Sequence, residues 1–315
     1  MILITGGMGF IGLHTARRFL DAGEDVVLTR FRANREPDFI RDEIGRRVAV
    51  ESLDIANRTA VQELFGRHPI TGVVHLAVPA LRGVAVADEF CVNVEGLLNI
   101  LEAARQAGVR RVSLASSVAV YSGIASGPFF EDMPLRMEPG NSTEAFKKAF
   151  ELLGLHYGAQ TGLDVIALRI AGIYGPLYHS MANLPSRLTH AAVRGMQPDL
   201  AGGRGGMPFA EDEFDGCYVK DCARGIQLLH QAGRLNHRVY NVGAGKATRN
   251  GDLAAAVNAA VPGAGVSLPP GQGPQARSGA FMDIGRIRAD SGYEPEYDVR
   301  RAIADYTAWL RKHPE

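Results

Sequence analysis

Cysteine is scarce: the 315 residues hold three, Cys91, Cys217 and Cys222. That count and scatter exclude a disulfide framework and a four-ligand zinc site, and they point to a reducing compartment. An excess of charge of one sign is also lacking, since 34 Lys plus Arg balance 34 Asp plus Glu. A polyanion binder needs a clustered basic excess to neutralise phosphates, so neither nucleic acid nor a membrane surface is expected as a partner. The Arg-rich stretch over 30–47 is interleaved with Glu36, Asp38, Asp42 and Glu43 and, beyond its first members, reads as a solvated face. No run of about 18 uncharged apolar residues occurs, so no transmembrane helix is expected. The opening Met1-Ile2-Leu3-Ile4-Thr5-Gly6 reads as a buried strand entering a glycine turn rather than as a secretion signal, and the expected location is the cytoplasm. The nine histidines show no ligand spacing on a helix face, so no metal site is expected.

What is present is a globular composition, 46% hydrophobic and 22% charged, with room for a sizeable core. Short apolar runs bounded by turn residues fall over 2–5, 26–29, 48–50, 73–77, 112–115 and 165–169, each of strand length. Between them, apolar residues at i, i+3 and i+4 predict helices over 12–22, 59–65, 94–107 and 143–161. Strands apolar on both faces and separated by helices call for a parallel sheet covered on both sides, the doubly wound α/β architecture. After Tyr174-Gly175-Pro176 the rhythm gives way to Gly- and Pro-rich stretches such as Gly202-Gly203-Arg204-Gly205-Gly206 and Pro269-Pro270-Gly271-Gln272-Gly273-Pro274. The expected division is a domain over 1–170, to which a segment near 215–243 returns, and a smaller, partly irregular lobe over 171–315.

Thr5-Gly6-Gly7-Met8-Gly9-Phe10-Ile11-Gly12 stands between the first strand and the first helix. Glycines there allow a tight turn and close approach to a pyrophosphate, whose charge sits where unpaired helix N–H groups point. Gly6, Gly9, Phe10, Ile11 and Gly12 are therefore the candidate dinucleotide contacts, against a plain glycine turn that binds nothing. The second strand ends in Leu28-Thr29-Arg30-Phe31-Arg32, where an acid would serve the ribose of NAD. Arginines there can pair with a 2′-phosphate, so NADP is preferred. NAD is the alternative, with Arg30 and Arg32 pointing into solvent.

These residues resemble the extended short-chain dehydrogenase/reductases, the NAD-dependent epimerase/dehydratase group, over almost the whole chain. The resemblance implies a Rossmann-type fold with a C-terminal substrate lobe. Leu53-Asp54-Ile55 is similar to that family's adenine contact, and Val74-His75-Leu76-Ala77 to its fourth-strand motif beside the ribose and pyrophosphate, so Asp54, Ile55, Leu76 and Ala77 join the cofactor set. Asn93-Val94-Glu95-Gly96 resembles the start of the next helix, where Asn93 is a structural polar residue. Ser116-Ser117-Val118-Ala119-Val120-Tyr121 resembles the serine-bearing strand end, with Ser117 on the catalytic hydroxyl. Ile173-Tyr174-Gly175-Pro176, Tyr218-Val219-Lys220-Asp221-Cys222-Ala223, Tyr240-Asn241-Val242-Gly243 and Gly292-Tyr293-Glu294-Pro295 continue the likeness through the lobe.

One departure matters. The family works with Tyr-x-x-x-Lys on a helix, where the ammonium lowers the phenol's pKa and holds the nicotinamide ribose. Here the segment is Asn141-Ser142-Thr143-Glu144-Ala145-Phe146-Lys147-Lys148 and holds no tyrosine. Spacing to Glu151 and to Leu168-Arg169 places Lys147 at the lysine and Thr143 at the tyrosine. An aliphatic hydroxyl is a far weaker acid than a phenol of pKa about 10. A register offset by one would instead pair Glu144 with Lys148. Tyr174, Tyr178 and His179, where the chain crosses to the lobe, are further proton-transfer candidates, and Tyr121 a weaker one.

Many nucleotide-sugar enzymes of this family carry an arginine just before the segment matching Tyr218 to Ala223. Here Glu211-Asp212-Glu213-Phe214-Asp215-Gly216-Cys217 is acidic and expected to repel a diphosphate unless Arg187, Arg194 or Arg204 compensates. The helices over 94–107 and 143–161 hold more apolar residues than one face of a monomer needs, and the family dimerises through this pair, so a homodimer is expected. The resulting expectation is an NAD(P)-dependent oxidoreductase or epimerase acting on a hydroxyl or carbonyl of a small polar or sugar-like substrate. Ser117 holds the reacting oxygen, Lys147 holds the ribose, and Thr143 or Glu144 stands in for the tyrosine. The alternatives are a dinucleotide-binding regulatory protein without turnover, and a nucleotide-sugar epimerase.

Overall fold

Residue alternation in the strands decides the layers. In a strand, successive side chains point to opposite faces. Ile2 and Ile4 of β1 (Ile2–Thr5) accordingly enter one apolar layer while Leu3 enters the other. The computed structural model describes residues 1–31, 38–77, 85–200, 206–274, 276–277 and 279–313; Arg32 and Arg204 lie outside these.

The first half repeats strand and helix. After β1 come α1 (Phe10–Asp21), β2 (Val26–Arg30), α2 (Asp38–Arg41), β3 (Val48–Ser52), α3 (Arg58–Arg67) and β4 (Gly72–His75). Then follow α4 (Val86–Gln106), β5 (Arg111–Ser117), α5 (Ser142–Thr161) and β6 (Val165–Ile170). The second half is more broken, with β7 (Gly172–Tyr174), α6 (Leu184–Val193), β8 (Glu213–Phe214), β9 (Gly216–Tyr218), α7 (Val219–Gln231) and β10 (Val239–Val242). It ends with β11 (Thr248–Arg249), α8 (Asn250–Ala260), α9 (Gly285–Ser291) and α10 (Val299–Lys312).

β1 to β6 and β10 form one seven-stranded sheet in the order β10-β6-β5-β4-β1-β2-β3. Every pairing in it is parallel. The doubly wound architecture expected from the runs of apolar residues is what the chain adopts. Helices α1 and α7 cover one face through Leu13, Phe19, Ile226 and Leu229. Helices α3, α4 and α5 cover the other through Leu64, Leu97, Ile100 and Phe150. A separate apolar cluster joins α6, α8 and α10 through Leu188, Leu253, Ile303 and Tyr306. The strand order reverses direction beside β1 and β4, the switch point where doubly wound sheets open a crevice at their carboxyl ends.

The expected helix over 94–107 begins earlier, at Val86. Asp88 and Glu89 supply acids to its first turn, where the helix dipole favours them. Asn93, expected at the helix start, therefore lies inside α4, buried, with Nδ2 donating to the Glu89 carbonyl at 2.8 Å. Among the described residues no helix is long and apolar enough to cross a membrane, and no three His, Cys, Asp or Glu side chains gather as a metal site. All three cysteines are free thiols.

Candidate active site

The turn after β1 is held by backbone rather than by side chains. Gly6 takes a left-handed φ of 65°, and a Cβ on it would lie 3.0 Å from the Ala77 nitrogen, where the end of β4 passes. Gly12, in the first turn of α1, would bring a Cβ within 2.6 Å of the Gly6 and Gly7 carbonyl oxygens. Contact that close to backbone leaves no way to relax, so only glycine lets the helix sit on the turn. No side chain caps α1 at Gly9, so its first N–H groups point outward unsatisfied by a cap.

Those N–H groups face a cleft of about 410 Å³ at the carboxyl end of the sheet. Gly6, Gly9, Phe10, Ile11 and Gly12 line it, with Leu76 from the end of β4. A pyrophosphate suits this cradle: unpaired donors, the positive end of a helix dipole and no Cβ in the way. The other cofactor candidates lie apart from this cleft. Arg30 ends β2 and is exposed. Asp54 is exposed and accepts from the Ala56 N–H at 3.0 Å. Ile55 is buried and presses on Gly96 of α4. Ala77 donates its N–H to Thr5 Oγ1 at 3.3 Å.

At the other end of the cleft, β5 and α5 bring the candidate catalytic side chains together. Asn141 caps α5, accepting from the Glu144 N–H at 3.0 Å. One turn into the helix, Thr143 and Lys147 share a face by their i, i+4 spacing, and both line the cleft with Ser116 and Ser117. Ser117 Oγ accepts from the Ala119 N–H at 3.1 Å and keeps its own proton to donate. Lys147 is buried and donates from Nζ to the Ala115 carbonyl at 2.6 Å. Burial lowers its pKa to about 8, with the Glu151 carboxylate pulling the other way. Glu151 is held in turn by a paired hydrogen bond from Arg169, at 2.9 Å from Nε and 2.8 Å from Nη2.

Glu144 is placed elsewhere. Its buried side chain forms an ion pair with Lys148 at 2.6 Å and accepts from the Gly140 N–H at 2.9 Å. Burial alone would raise its pKa, but Lys148 and Gly140 outweigh that and hold the carboxyl below the ordinary range. The offset pairing exists as a structural contact, outside the cleft lining, because the Asn141 cap sets the helix register that turns Lys147 inward.

The tyrosines separate by burial. Tyr121 is buried, bonded to Asn241 and Arg169, and pushed up to about 12 by burial. Tyr174 is buried against Tyr218 and pushed well above the usual phenol range by that burial. Tyr178 lines the cleft itself. His75 is buried with Nδ1 hydrogen-bonded to Thr5 Oγ1 at 2.8 Å, and burial and then Lys147 lower its pKa to about 3.

A second cavity of about 800 Å³ adjoins the cleft, with Val118 and Tyr174 facing it where Ser117 and Ile173 face the first. Arg187 lines it, with its Nε buried and unpartnered among the described residues. Arg194 does not line it. Arg277 also lines this cavity; its place in a Gly- and Pro-rich stretch hid it, and the only sequence signal was a cation there. The expected acidic repulsion is softened by the loops. Asp212 accepts from the Phe209 and Gly273 N–H groups and Glu213 from the Gly279 N–H, so both carboxylates tie loops together. Asp215 differs: Oδ2 accepts from the Met282 N–H at 3.1 Å, while Oδ1 is buried without a partner among the described residues. Burial raises it to about 7, against the lowering effect of Met282. Cys217 and Cys222 are buried thiols raised above their ordinary range by burial, which suits packing rather than nucleophilic attack.

Comparison with known proteins agrees with this geometry. The NAD dependent epimerase/dehydratase family model matches residues 2–243. A dTDP-glucose 4,6-dehydratase of Streptomyces griseus is 31% identical over 325 residues, covering 99% of this chain and 94% of the relative. A UDP-glucose 4-epimerase of Neisseria gonorrhoeae is 27% identical over 339 residues, covering 99% and 98%. Among solved structures, the Thermus thermophilus UDP-glucose 4-epimerase complex with NAD is 26% identical with a TM-score of 0.74, covering 99% of each chain. The glycine turn, the parallel sheet and the Ser117–Lys147 cleft thus occur together in a chain that belongs to the NAD-dependent epimerase/dehydratase family of extended short-chain dehydrogenase/reductases.

Proposed function

We propose that this chain is an NAD(P)-dependent epimerase/dehydratase-type oxidoreductase acting at a hydroxyl or carbonyl of a sugar that carries a phosphate group. The observation that carries this reading is the cleft where an uncapped helix N-terminus at one end meets Ser117, Thr143 and Lys147 at the other. A bound nicotinamide dinucleotide supplies the hydride acceptor and donor, so that a substrate carbinol is oxidised as the ring is reduced. Gly6, Gly9 and Gly12 admit the pyrophosphate, Lys147 holds the nicotinamide ribose, and Ser117 donates a hydrogen bond to the reacting oxygen. Arg187 and Arg277 stand in the adjoining cavity as the cations for a phosphate-bearing substrate. This supports a nucleotide sugar despite Phe214 standing in the stretch where many relatives carry arginine.

The adenosine end ends in Arg30 rather than an acid, which favours a 2′-phosphate and NADP. NAD is the nucleotide named for the Thermus relative. Leu98 of α4 and Leu152 of α5 are exposed, and a homodimer joined through these helices would cover them. A cytoplasmic setting suits three free thiols.

Denaturing the purified protein and identifying released nucleotide by mass tests the cofactor. Adding UDP-glucose or dTDP-glucose to the holoprotein and following reduction of bound nicotinamide by absorbance tests the chemistry. Release of nucleotide, or saturable binding of added NAD or NADP, together with reduction is the expected result. A protein that binds a dinucleotide but transfers no hydride is the regulatory alternative that Thr143 brings into view.

A further inference from the structure

Oxidising a carbinol by hydride removal also releases the O–H proton, and some group must take it. The cleft offers few. Ser116 donates its hydroxyl proton to Glu151, and Ser117 and Thr143 are aliphatic hydroxyls. Lys147 is an ammonium at neutral pH, already donating to the Ala115 carbonyl.

The chain has nine tyrosines. Tyr121, Tyr157, Tyr218, Tyr240, Tyr293 and Tyr306 use their hydroxyls on protein partners. Tyr297 is packed between Tyr218 and Arg301, and Tyr174 is buried in the wall of the adjoining cavity. Tyr178 alone of the nine lines the nucleotide cleft, and its hydroxyl makes no hydrogen bond among the described residues.

Its placement is built rather than incidental. The segment leaving β7 is tied to α1, where His14 Nε2 donates to the Pro176 carbonyl at 3.1 Å. The next residue, Leu177, is buried at a left-handed φ of 73°, a conformation costly for a residue with a Cβ. That turn seats Leu177 in the core, and Tyr178 packs edge-on against Phe10, with ring centroids 5.2 Å apart. Strained backbone of this kind clusters at functional sites.

We propose that Tyr178 exchanges the proton of the reacting oxygen, replacing from the crossover segment the phenol that α5 lacks at Thr143. In the oxidative direction the substrate C–H bond breaks and its electron pair leaves as hydride to the nicotinamide. The O–H bond breaks with its proton passing to the Tyr178 phenolate oxygen, and a C=O bond forms. On return the hydride re-forms C–H and the Tyr178 phenol gives its proton back to the oxygen. Lys147 lines the same cleft and places a positive charge beside the reacting oxygen.

This inference rests on the oxidoreductase reading above, and the test separates the two. Holoprotein is mixed with UDP-glucose or dTDP-glucose, and the rate of nicotinamide reduction is measured for wild type, Tyr178→Phe and the double variant Thr143→Tyr/Tyr178→Phe. Phenylalanine keeps the packing on Phe10 and removes only the hydroxyl. The expected result is a rate about 100-fold or more lower for Tyr178→Phe, with nucleotide affinity and KM unchanged. The double variant should recover about ten-fold or more of that loss, because a phenol returns from the other element. Equal rates for wild type and Tyr178→Phe overturn the role of Tyr178 and leave the oxidoreductase reading standing. A wild type that reduces no bound nicotinamide with either sugar overturns that reading, and Tyr178's role falls with it.

Discussion

At the end of the cleft proposed for the dinucleotide the lining comes from backbone: the Gly6 turn, the uncapped start of α1 and the close seat of Gly12 on the turn before it. The other end is lined by side chains, Ser117 at the end of β5 and Thr143 and Lys147 on α5, and Tyr178 beyond β7 enters the same cleft beside Phe10. The first end tolerates change almost anywhere except at its glycines, because any residue's N–H serves. The second can keep its geometry while its chemistry moves, because a proton donor needs only to reach the cleft, from whichever element. A chain can therefore keep a glycine turn suited to a dinucleotide while Thr143 stands one turn before Lys147 on α5.

The sharpest way to break this contrast is at Gly12. Gly12→Ala forces a Cβ into the Gly6 and Gly7 carbonyls, and dinucleotide affinity measured by calorimetry should fall by more than about 100-fold. Retained affinity would mean that the backbone cradle is not the binding site. Lys147→Met probes the other end: turnover should fall by about 100-fold. Thermal stability at neutral pH should not fall, since burial already disfavours the Lys147 charge and lowers its pKa to about 8. A variant that unfolds instead would make Lys147 a structural residue.

Acid should weaken both ends together. His14 anchors the crossover and His75 lies beneath the cleft, and burial lowers their pKa values to about 4 and about 3. The unfolded chain binds protons on these rings below about 6.5 where the native state does not, so their contribution is complete above that pH and is lost as the pH falls. Between pH 6.5 and 5 the loss is roughly 2 kcal/mol for each ring, and denaturant melts at the two pH values read it. His14→Gln and His75→Gln should flatten that dependence.

A further effect belongs to the cavity beside the cleft. Asp215 is raised to about 7, so its contribution to stability is complete below the ordinary carboxylate range and is lost as the pH rises through 7. Asp215→Asn should be more stable than wild type at pH 8 and closer to wild type at pH 5, read by denaturant melts at the two pH values. A stability difference independent of pH would show that Asp215 stays ionised in the native state.

The glycine turn was legible in the sequence because it is local, whereas Arg30, Asp54, Ile55 and Ala77 lie apart from the cleft it lines. A four-residue apolar strand, eight residues of glycine-rich turn and an amphipathic helix follow one another without interruption. Lys147 was readable for the same reason, through its spacing on one helix. Tyr178, Arg277 and Asp215 were harder, since nothing in their neighbours' identities says which cavity they face. The start of α4 was missed although Val86, Phe90 and Val94 recur at i, i+4 and Asp88 and Glu89 stand in its first turn. Glu144 drew notice through its pairing with Lys148, and that pairing is what occupies it away from the cleft.

The most direct test is a crystal structure of the protein with NAD and UDP-glucose bound together. The expected result is the pyrophosphate on the Gly9–Gly12 turn, the nicotinamide ribose on Lys147, and a sugar hydroxyl about 3 Å from the Tyr178 hydroxyl oxygen. A sugar hydroxyl that reaches Ser117 and Thr143 while Tyr178 faces solvent would contradict the transfer of the proton role to the crossover segment.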